Sequence, residues 1–200
     1  MFSVVLALAT ILVAFATAGV PAAAAAKVVT ATQCELALQV IRDVTSHHYG
    51  RPLVFETATS DVFVGQIDAD ALAKGWTKYV DGNSVDIASL PRQLAAEFLD
   101  RGLRTNSVSS CPSVRNWLTH HRIKYGIAAV HAVTARSIDD ELPAGIFTVS
   151  LPVVSDDGQL ALVYTSDVWG GLAGGGAIQL YRRQADGTWK FITDRRLWVS

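Results

Sequence analysis

The last third of the chain limits the possible folds most narrowly. Four runs rich in β-branched and aromatic residues follow one another there, at residues 146–154, 160–168, 177–183 and 189–199. Asp157-Gly158 and Asp186-Gly187 separate two pairs of these runs, and glycine supplies the positive φ that a tight hairpin turn needs. The pattern predicts a four-stranded antiparallel meander over residues 145–200.

The first half of the chain carries helix signals instead. Thr32 and Glu35 have the spacing of a capping box, and apolar residues recur behind them at helical intervals. This pattern predicts a helix over residues 33–48. A second helix is predicted from Ser89 to Gly102, because a proline stands in its first turn and the glycine can end it.

Shorter elements connect these segments. The predicted short strands are residues 52–56, 61–64, 76–80 and 126–134. Helical turns are expected at residues 68–74, and a short helix is expected after the Cys111-Pro112 pair. We therefore predict an α+β fold in which helices of the N-terminal half pack on a mostly antiparallel sheet, because a face of the meander must be covered.

The first 26 residues contain no charged side chain. An apolar run at residues 4–16 is followed by small residues, a pattern typical of a signal peptide that is cleaved after Ala24 or Ala26. We therefore predict a periplasmic or secreted protein with one domain, residues 27–200. The alternative is an uncleaved membrane anchor, because no Lys or Arg precedes the apolar run and the charge-free stretch is long enough to span a bilayer.

The chain has two cysteines, Cys34 and Cys111. In an oxidising compartment, an even number of cysteines without metal-ligand spacing favours one disulfide. Two buried free thiols, or half of a zinc site completed by histidines, are the alternatives.

The charges of the chain are balanced, with 17 basic and 18 acidic residues and a net charge of −1. Nucleic-acid binders usually carry a basic patch, and docking on anionic membranes needs clustered Lys and Arg. We therefore expect no nucleic-acid partner and no stable membrane insertion after cleavage. The histidines occur as His47-His48, His120-His121 and His131, without metal-ligand spacing. No motif identifies a reaction, so we predict no catalytic residue, no metal and no cofactor.

A glycine-rich segment at residues 167–176 is the most distinctive local pattern. It matches neither the dinucleotide-binding fingerprint nor a phosphate-binding loop, and a strand rather than a helix is predicted after it. We predict a contorted hairpin connection, and a structural turn is favoured over a ligand loop. The candidate ligand contacts are Asp167, Trp169, Gly170, Gly171 and, in the next strand, Tyr181.

The tail also carries a composite pattern. The elements are S-x-P-V from Ser150, D-G at Asp157, A-L-V-Y from Ala161, the glycine-rich segment, G-x-W-K from Gly187 and W-x-S from Trp198. This pattern resembles that of a family of uncharacterised exported bacterial proteins, over about the last third of the chain. Trp169 and Ala173 stand where the family has two loop cysteines, so the resemblance implies that a loop disulfide is absent here. It implies an exported α+β domain and carries no established activity.

These observations favour a non-catalytic binding or envelope-associated domain. Its partner would be a small molecule, a glycan or an envelope protein. Exposed aromatic side chains at Trp169, Tyr181 and Trp198 would support this hypothesis. One alternative is a hydrolase whose Ser, His and Asp meet only in the folded structure. Another is an inhibitor or immunity-type protein that acts by contact alone.

Overall fold

The structure, a computed structural model, describes most of the chain after its N-terminal segment. The described residues are 29–47, 52–56, 67–80, 83–86, 89–102, 108–138, 141–170 and 173–199. The helices are α1 (Ala31–His47), α2 (Ala69–Ala73), α3 (Arg92–Glu97), α4 (Pro112–His120) and α5 (Ile127–Thr134). The strands are β1 (Leu53–Glu56), β2 (Thr77–Val80), β3 (Asn83–Asp86), β4 (Lys124–Tyr125), β5 (Glu141–Val149), β6 (Val153–Val154), β7 (Leu160–Gly170), β8 (Ala173–Arg183) and β9 (Trp189–Val199). The fold is therefore α+β, as predicted.

Seven of these strands form one mixed sheet, in the order β4-β1-β5-β7-β8-β9, with β6 paired to β7. Strands β5, β7, β8 and β9 are mutually antiparallel neighbours and form the predicted meander. Strand β1 runs parallel to both β4 and β5, so the sheet is parallel on the side of β5 away from the rest of the meander and antiparallel within the meander. Strands β2 and β3 form a separate hairpin.

One face of the sheet is covered by α1 and α4. Their buried residues are Leu36, Ala37, Val40, Ile41, Val114 and Leu118, which pack against Phe55, Phe147, Val149, Ala161, Val163, Tyr181 and Trp189 of the sheet. Cys34 of α1 and Cys111, directly before α4, form a disulfide, which confirms the predicted bridge. Side-chain amides of α1 also bind the meander, since Gln33 donates to the Pro152 carbonyl and Gln39 to the Trp189 carbonyl.

The opposite face is also covered by helices. Helices α2 and α3, with the π-helical turn Phe98–Gly102, pack on Leu162, Tyr164, Ile178 and Leu180. Helix α5 packs on a smaller cluster that contains Val54, Ala144 and Ile146. The sheet therefore lies between two helical layers.

The predicted strand over residues 126–134 is wrong, because residues 127–134 form helix α5. The Gly126 N–H donates to the Phe55 carbonyl at 2.9 Å, and its φ of +86° turns the chain out of β4. The alanines that follow are the best helix formers, and β-branched residues such as Val130 are tolerated in a helix. The backbone hydrogen bond to Phe55, a residue far away in the sequence, therefore fixes where strand β4 ends and helix α5 begins.

The other predicted elements fall close to those observed. Helix α1 spans residues 31–47, the helical turns at 68–74 form α2, and the helix after Cys111 is α4. The helix predicted from Ser89 begins at Arg92 and passes into the π-helical turn. The predicted strand at 61–64 and the signal peptide lie outside the described residues. Within the described part of the chain, no helix is long and apolar enough to cross a membrane.

Candidate functional site

The two ends of the meander differ in burial. The covered end comprises residues 160–164, 178–181 and 189–193, where most side chains lie under the helices. The open end comprises residues 165–170, 173–177 and 194–199. Every one of these residues except Gly176 is half-buried or exposed. The same three strands run through both ends, so the change occurs along each strand.

On the α2 side of the open end, the indole of Trp198 lies over two glycines. A Cβ atom on Gly176 would overlap the indole nitrogen, and one on Gly174 would lie 3.3 Å from Cζ3 of the ring. The indole Nε1 donates a hydrogen bond to the Tyr164 hydroxyl at 3.2 Å. Gly176 is therefore required here because the ring occupies the place of its missing side chain, whereas a Cβ atom on Gly174 would first meet the Asp167 carbonyl oxygen, at 2.6 Å.

On the α1 side, Trp169 lies over Gly145 in the same way. A Cβ atom on Gly145 would lie 2.6 Å from Cη2 and Cζ3 of the indole. The ring meets Phe147 edge to face at 5.5 Å between centroids, and its Nε1 donates to Asp167 Oδ2 at 2.8 Å. The glycine-rich segment is thus not the contorted connection that its composition predicted, since Gly174, Gly175 and Gly176 lie in the extended strand β8.

A groove of about 410 Å³ lies on the sheet at the open end. It is lined by Thr165, Asp167, Trp169, residues 173–177, Gln179, Asp194, Arg196, Trp198 and Val199. Gly175 faces the α1 side, opposite Asp167 of β7, and forms part of the floor. A Cβ atom added to Gly175 would meet only the Trp198 carbonyl oxygen, at 3.6 Å, so the backbone here is open to a bound molecule.

The polar groups of the groove are partly committed to internal hydrogen bonds. Asp167 holds Trp169 through one carboxylate oxygen, and Gln179 Oε1 accepts from the Tyr181 hydroxyl at 2.8 Å. Asp194 and Arg196 are exposed, and neither forms an ion pair within the residues that the structure describes. The groove therefore offers carboxylate acceptors, an amide and a guanidinium along a floor of backbone.

Tyr181, a predicted ligand contact, is 3 % exposed and packs beneath α1. Burial, with a smaller contribution from the negative charge of Asp43, raises the pKa of the Tyr181 phenol well above its usual range. It reaches the groove only through its hydrogen bond to Gln179. Tyr181 is therefore not one of the exposed aromatic side chains that would support a binding function, because the strand turns its side chain toward the helix.

The other predicted contacts have different outcomes. Asp167 and Trp169 line the groove, whereas Gly170 ends β7 opposite Ala173 and Gly171 lies outside the described residues. Sequence reasoning missed Gln179, Asp194 and Arg196. The alternation of Asp194 and Arg196 two residues apart on a strand was the available signal, because such residues share a face.

The histidines of the described part lie apart from the groove. His47, His120, His121 and His131 are all exposed. Nδ1 of His121 lies 2.8 Å from the Trp117 carbonyl oxygen, and its ring stacks on that indole. Among the described residues, no group of three or more His, Cys, Asp and Glu side chains has the arrangement of a metal site.

Comparison with known proteins gives no family. No family model, no curated protein and no solved structure matches the chain. The resemblance of the tail to exported bacterial proteins therefore stays a prediction, and the geometry of the groove has to carry the functional argument.

Proposed function

We propose that this chain is an exported, non-catalytic binding domain that holds a saccharide of the cell envelope in the groove. The observation that carries the proposal is the combination in one open groove of an indole, a bare backbone floor at Gly175 and the side chains of Asp167, Asp194 and Arg196. Binding sites for small molecules combine aromatic surface with a few placed polar groups.

The chemistry of a sugar ring matches this combination. A pyranose presents an apolar C–H face and a rim of hydroxyls, so it packs on an indole while its hydroxyls bind carboxylates, amides and guanidinium groups. Asp167 serves both the stacking surface and the polar contacts. Its Oδ2 accepts from Trp169 Nε1 at 2.8 Å and so orients the indole, and its second carboxylate oxygen can accept from a ligand hydroxyl. The indole and the acceptor are therefore held ready before a ligand arrives.

The positions of the two acidic residues favour binding rather than glycoside hydrolysis. Asp167 lies opposite Gly175 and Asp194 opposite Gln179, on the two strands that flank β8. Four residues of an extended strand separate these positions by about 13 Å along β8 alone. Glycosidase carboxylates lie about 5–9.5 Å apart, so this pair does not suit that reaction.

The export part of the proposal rests on two features. Residues 4–16 form the apolar run of a predicted signal peptide, and the only two cysteines of the chain are joined in a buried disulfide. Structural disulfides persist in oxidising compartments such as the periplasm and the exterior of the cell.

The proposal is tested by calorimetric titration of the chain with soluble oligosaccharides prepared from bacterial cell envelopes. We expect Asp167→Asn to weaken binding by about tenfold or more, because a hydrogen bond to a charged group contributes about 1.5–3 kcal/mol. Asp156→Asn is the matched control, since Asp156 is exposed in the turn before β7, outside the groove lining. Absence of binding by the unaltered chain, or equal binding by Asp167→Asn, would refute the proposal.

A further inference from the structure

Ala177, on the floor of the groove, has polar neighbours on three sides. The strand register pairs it with Thr165 of β7 on one side and with Arg196 of β9 on the other. Gln179 lies two residues along β8, so its side chain is on the same face of the sheet. Gly175, two residues the other way, has no side chain to fill the space. The polar neighbours of Ala177 therefore border one small part of the groove.

The orientation of the Gln179 amide makes this neighbour a hydrogen-bond donor. The Tyr181 hydroxyl donates to Gln179 Oε1 at 2.8 Å, and Tyr181 is 3 % exposed, so a buried side chain holds the amide in place. In the described part of the chain, the two N–H groups of this amide have no internal acceptor. They are therefore available to a ligand, because an amide nitrogen can only donate.

The other two polar neighbours also have unengaged donors. Thr165 is half-buried and Arg196 is exposed. Among the residues that the structure describes, the Thr165 hydroxyl has no hydrogen-bond partner and the Arg196 guanidinium has no ion pair. Their Cα positions are two strand spacings apart, about 10 Å, and the only side chain between them is the methyl group of Ala177. A small group that accepts hydrogen bonds fits between the hydroxyl and the guanidinium.

The two carboxylates of the groove lie farther from Ala177 than these donors do. Asp194 is paired with Gln179 and Asp167 with Gly175, so both occupy positions diagonal to Ala177. Diagonal neighbours on a sheet are about 7–8 Å apart, whereas directly paired residues are about 4.5–5.5 Å apart. The space over Ala177 is therefore bordered by donors, and the acceptors of the groove lie at its corners.

We propose that the groove binds an acidic saccharide, whose carboxylate lies over Ala177 and binds the Arg196 guanidinium. The inference rests on the proposed function of the groove and names the class of saccharide. A guanidinium binds a carboxylate through two parallel N–H···O bonds. Thr165 and Gln179 donate to the same carboxylate, and hydroxyls of the sugar ring donate to the diagonal aspartates. Those aspartates disfavour a phosphate monoester, which carries about 1.5–2 negative charges near neutral pH.

The test compares the envelope oligosaccharides before and after reduction of their carboxyl groups. Carbodiimide activation followed by borohydride converts each carboxyl group to a primary alcohol and leaves the rest of the saccharide in place. In calorimetric titration of the unaltered chain, we expect the reduced saccharide to bind about tenfold more weakly than the intact one, because its hydrogen bonds to Arg196 no longer involve two charged groups.

Two arginine variants show whether this preference comes from the proposed position. Arg196→Gln removes the guanidinium at an exposed position. We expect it to weaken binding of the intact saccharide by about tenfold and to leave binding of the reduced saccharide unchanged. Arg182→Gln is the matched control, because Arg182 is an exposed arginine of β8 outside the groove lining and its replacement changes the net charge equally. We expect this control to bind both saccharides as the unaltered chain does.

The outcomes distinguish this inference from the proposed function on which it rests. Equal binding of the intact and the reduced saccharide by the unaltered chain would overturn the inference and leave the groove proposal intact. A preference for the intact saccharide that Arg196→Gln leaves unchanged, or that Arg182→Gln removes equally, would also overturn it. Absence of binding of both saccharides would overturn the proposed function as well.

Discussion

The covered end and the open end of the meander are built from the same three strands but stabilised differently. At the covered end, helices pack on both faces, and side chains such as Leu162, Val163 and Ile178 are fully buried. At the open end, two indoles lie on glycine backbone, one on each face. The comparison shows that an aromatic ring on a glycine can cover a sheet where no helix packs, and aromatic rescue of strand glycines is known in β-sheets.

Because of this difference, the covered end contributes mainly to stability, and the open end is the part of the meander that is available for binding. Helical cover excludes solvent and leaves no surface for a ligand, whereas a ring on a glycine covers only its own area. The floor beside it, at Gly175, remains accessible. The open end is therefore where polar side chains and backbone are available together, and the covered end provides the rigid scaffold that positions them.

The largest expected effect concerns the covered end. Replacing both cysteines, Cys34→Ser with Cys111→Ser, releases the bridge between α1 and α4, which spans a sequence separation of 77 residues. Loss of this constraint on the unfolded chain should lower the free energy of unfolding by about 4 kcal/mol. Urea unfolding monitored by circular dichroism measures the change. An unaltered midpoint would show that the helical layer does not depend on the disulfide, and the reduced unaltered chain is the control.

The next largest expected effect tests whether the open end needs a glycine beneath the Trp198 indole. Gly176→Ala places a methyl group where the Trp198 indole nitrogen and the Tyr164 hydroxyl lie, so the free energy of unfolding should fall by about 1–3 kcal/mol. Gly175→Ala is the matched control, because its methyl group would make only an ordinary contact of 3.6 Å. We expect it to change stability by about 0.5 kcal/mol or less in urea unfolding. Equal losses of unfolding free energy for the two variants would contradict the inference that the Trp198 ring requires a glycine at position 176.

The smallest effect is confined to alkaline pH and comes from Tyr181 at the boundary between the two ends. Because its pKa is raised in the folded state, Tyr181 keeps its proton at pH values where the unfolded chain loses it. Its contribution to stability is complete below pH of about 10 and declines above it, by up to about 1.4 kcal/mol per pH unit.

Tyr181→Phe removes this contribution to the pH dependence. Urea midpoints are measured for both proteins from about pH 8 to about pH 11, a range that spans the ordinary tyrosine pKa. Above a pH of about 10, the midpoint should fall less steeply for the variant than for the unaltered chain. Parallel curves for the two proteins would show that the folded state does not hold the proton of Tyr181 more tightly than the unfolded chain does.

Local sequence signals predicted the elements that depend on local chemistry. The helical periodicity corresponds to α1, and the Asp-Gly pairs correspond to the hairpin turns that flank the covered end. The capping box predicted at Thr32 and Glu35 is wrong by two residues, because the reciprocal hydrogen bonds join Thr30 and Gln33 instead. Asp157 and Asp186 each accept from a backbone N–H two residues later, which is why these turns form from local sequence. Hydrogen bonds from neighbouring residues also lower the pKa of both carboxyls.

The candidate site was predicted only in part. Asp167 and Trp169 stood out because they belong to the glycine-rich segment, yet the segment itself was interpreted as a turn. Glycine in a strand and glycine in a loop have the same composition signal, and only the ring above Gly176 explains why the strand has no side chain there. Asp194 reaches the groove through the pairing of β9 with β8, which no local pattern reports.

The sequence by itself determined the α+β class, the long first helix and the antiparallel meander, and it favoured the disulfide between its two cysteines over free thiols or a zinc site, because these depend on periodicity, turn chemistry and the even number of cysteines. Only the tertiary structure decided that residues 127–134 form a helix, that Tyr181 is buried, and that Trp169 and Trp198 cover glycines on opposite faces. The physical reason is that strand register and the sharing of space between distant side chains are set by packing, to which residues far apart in the chain contribute together.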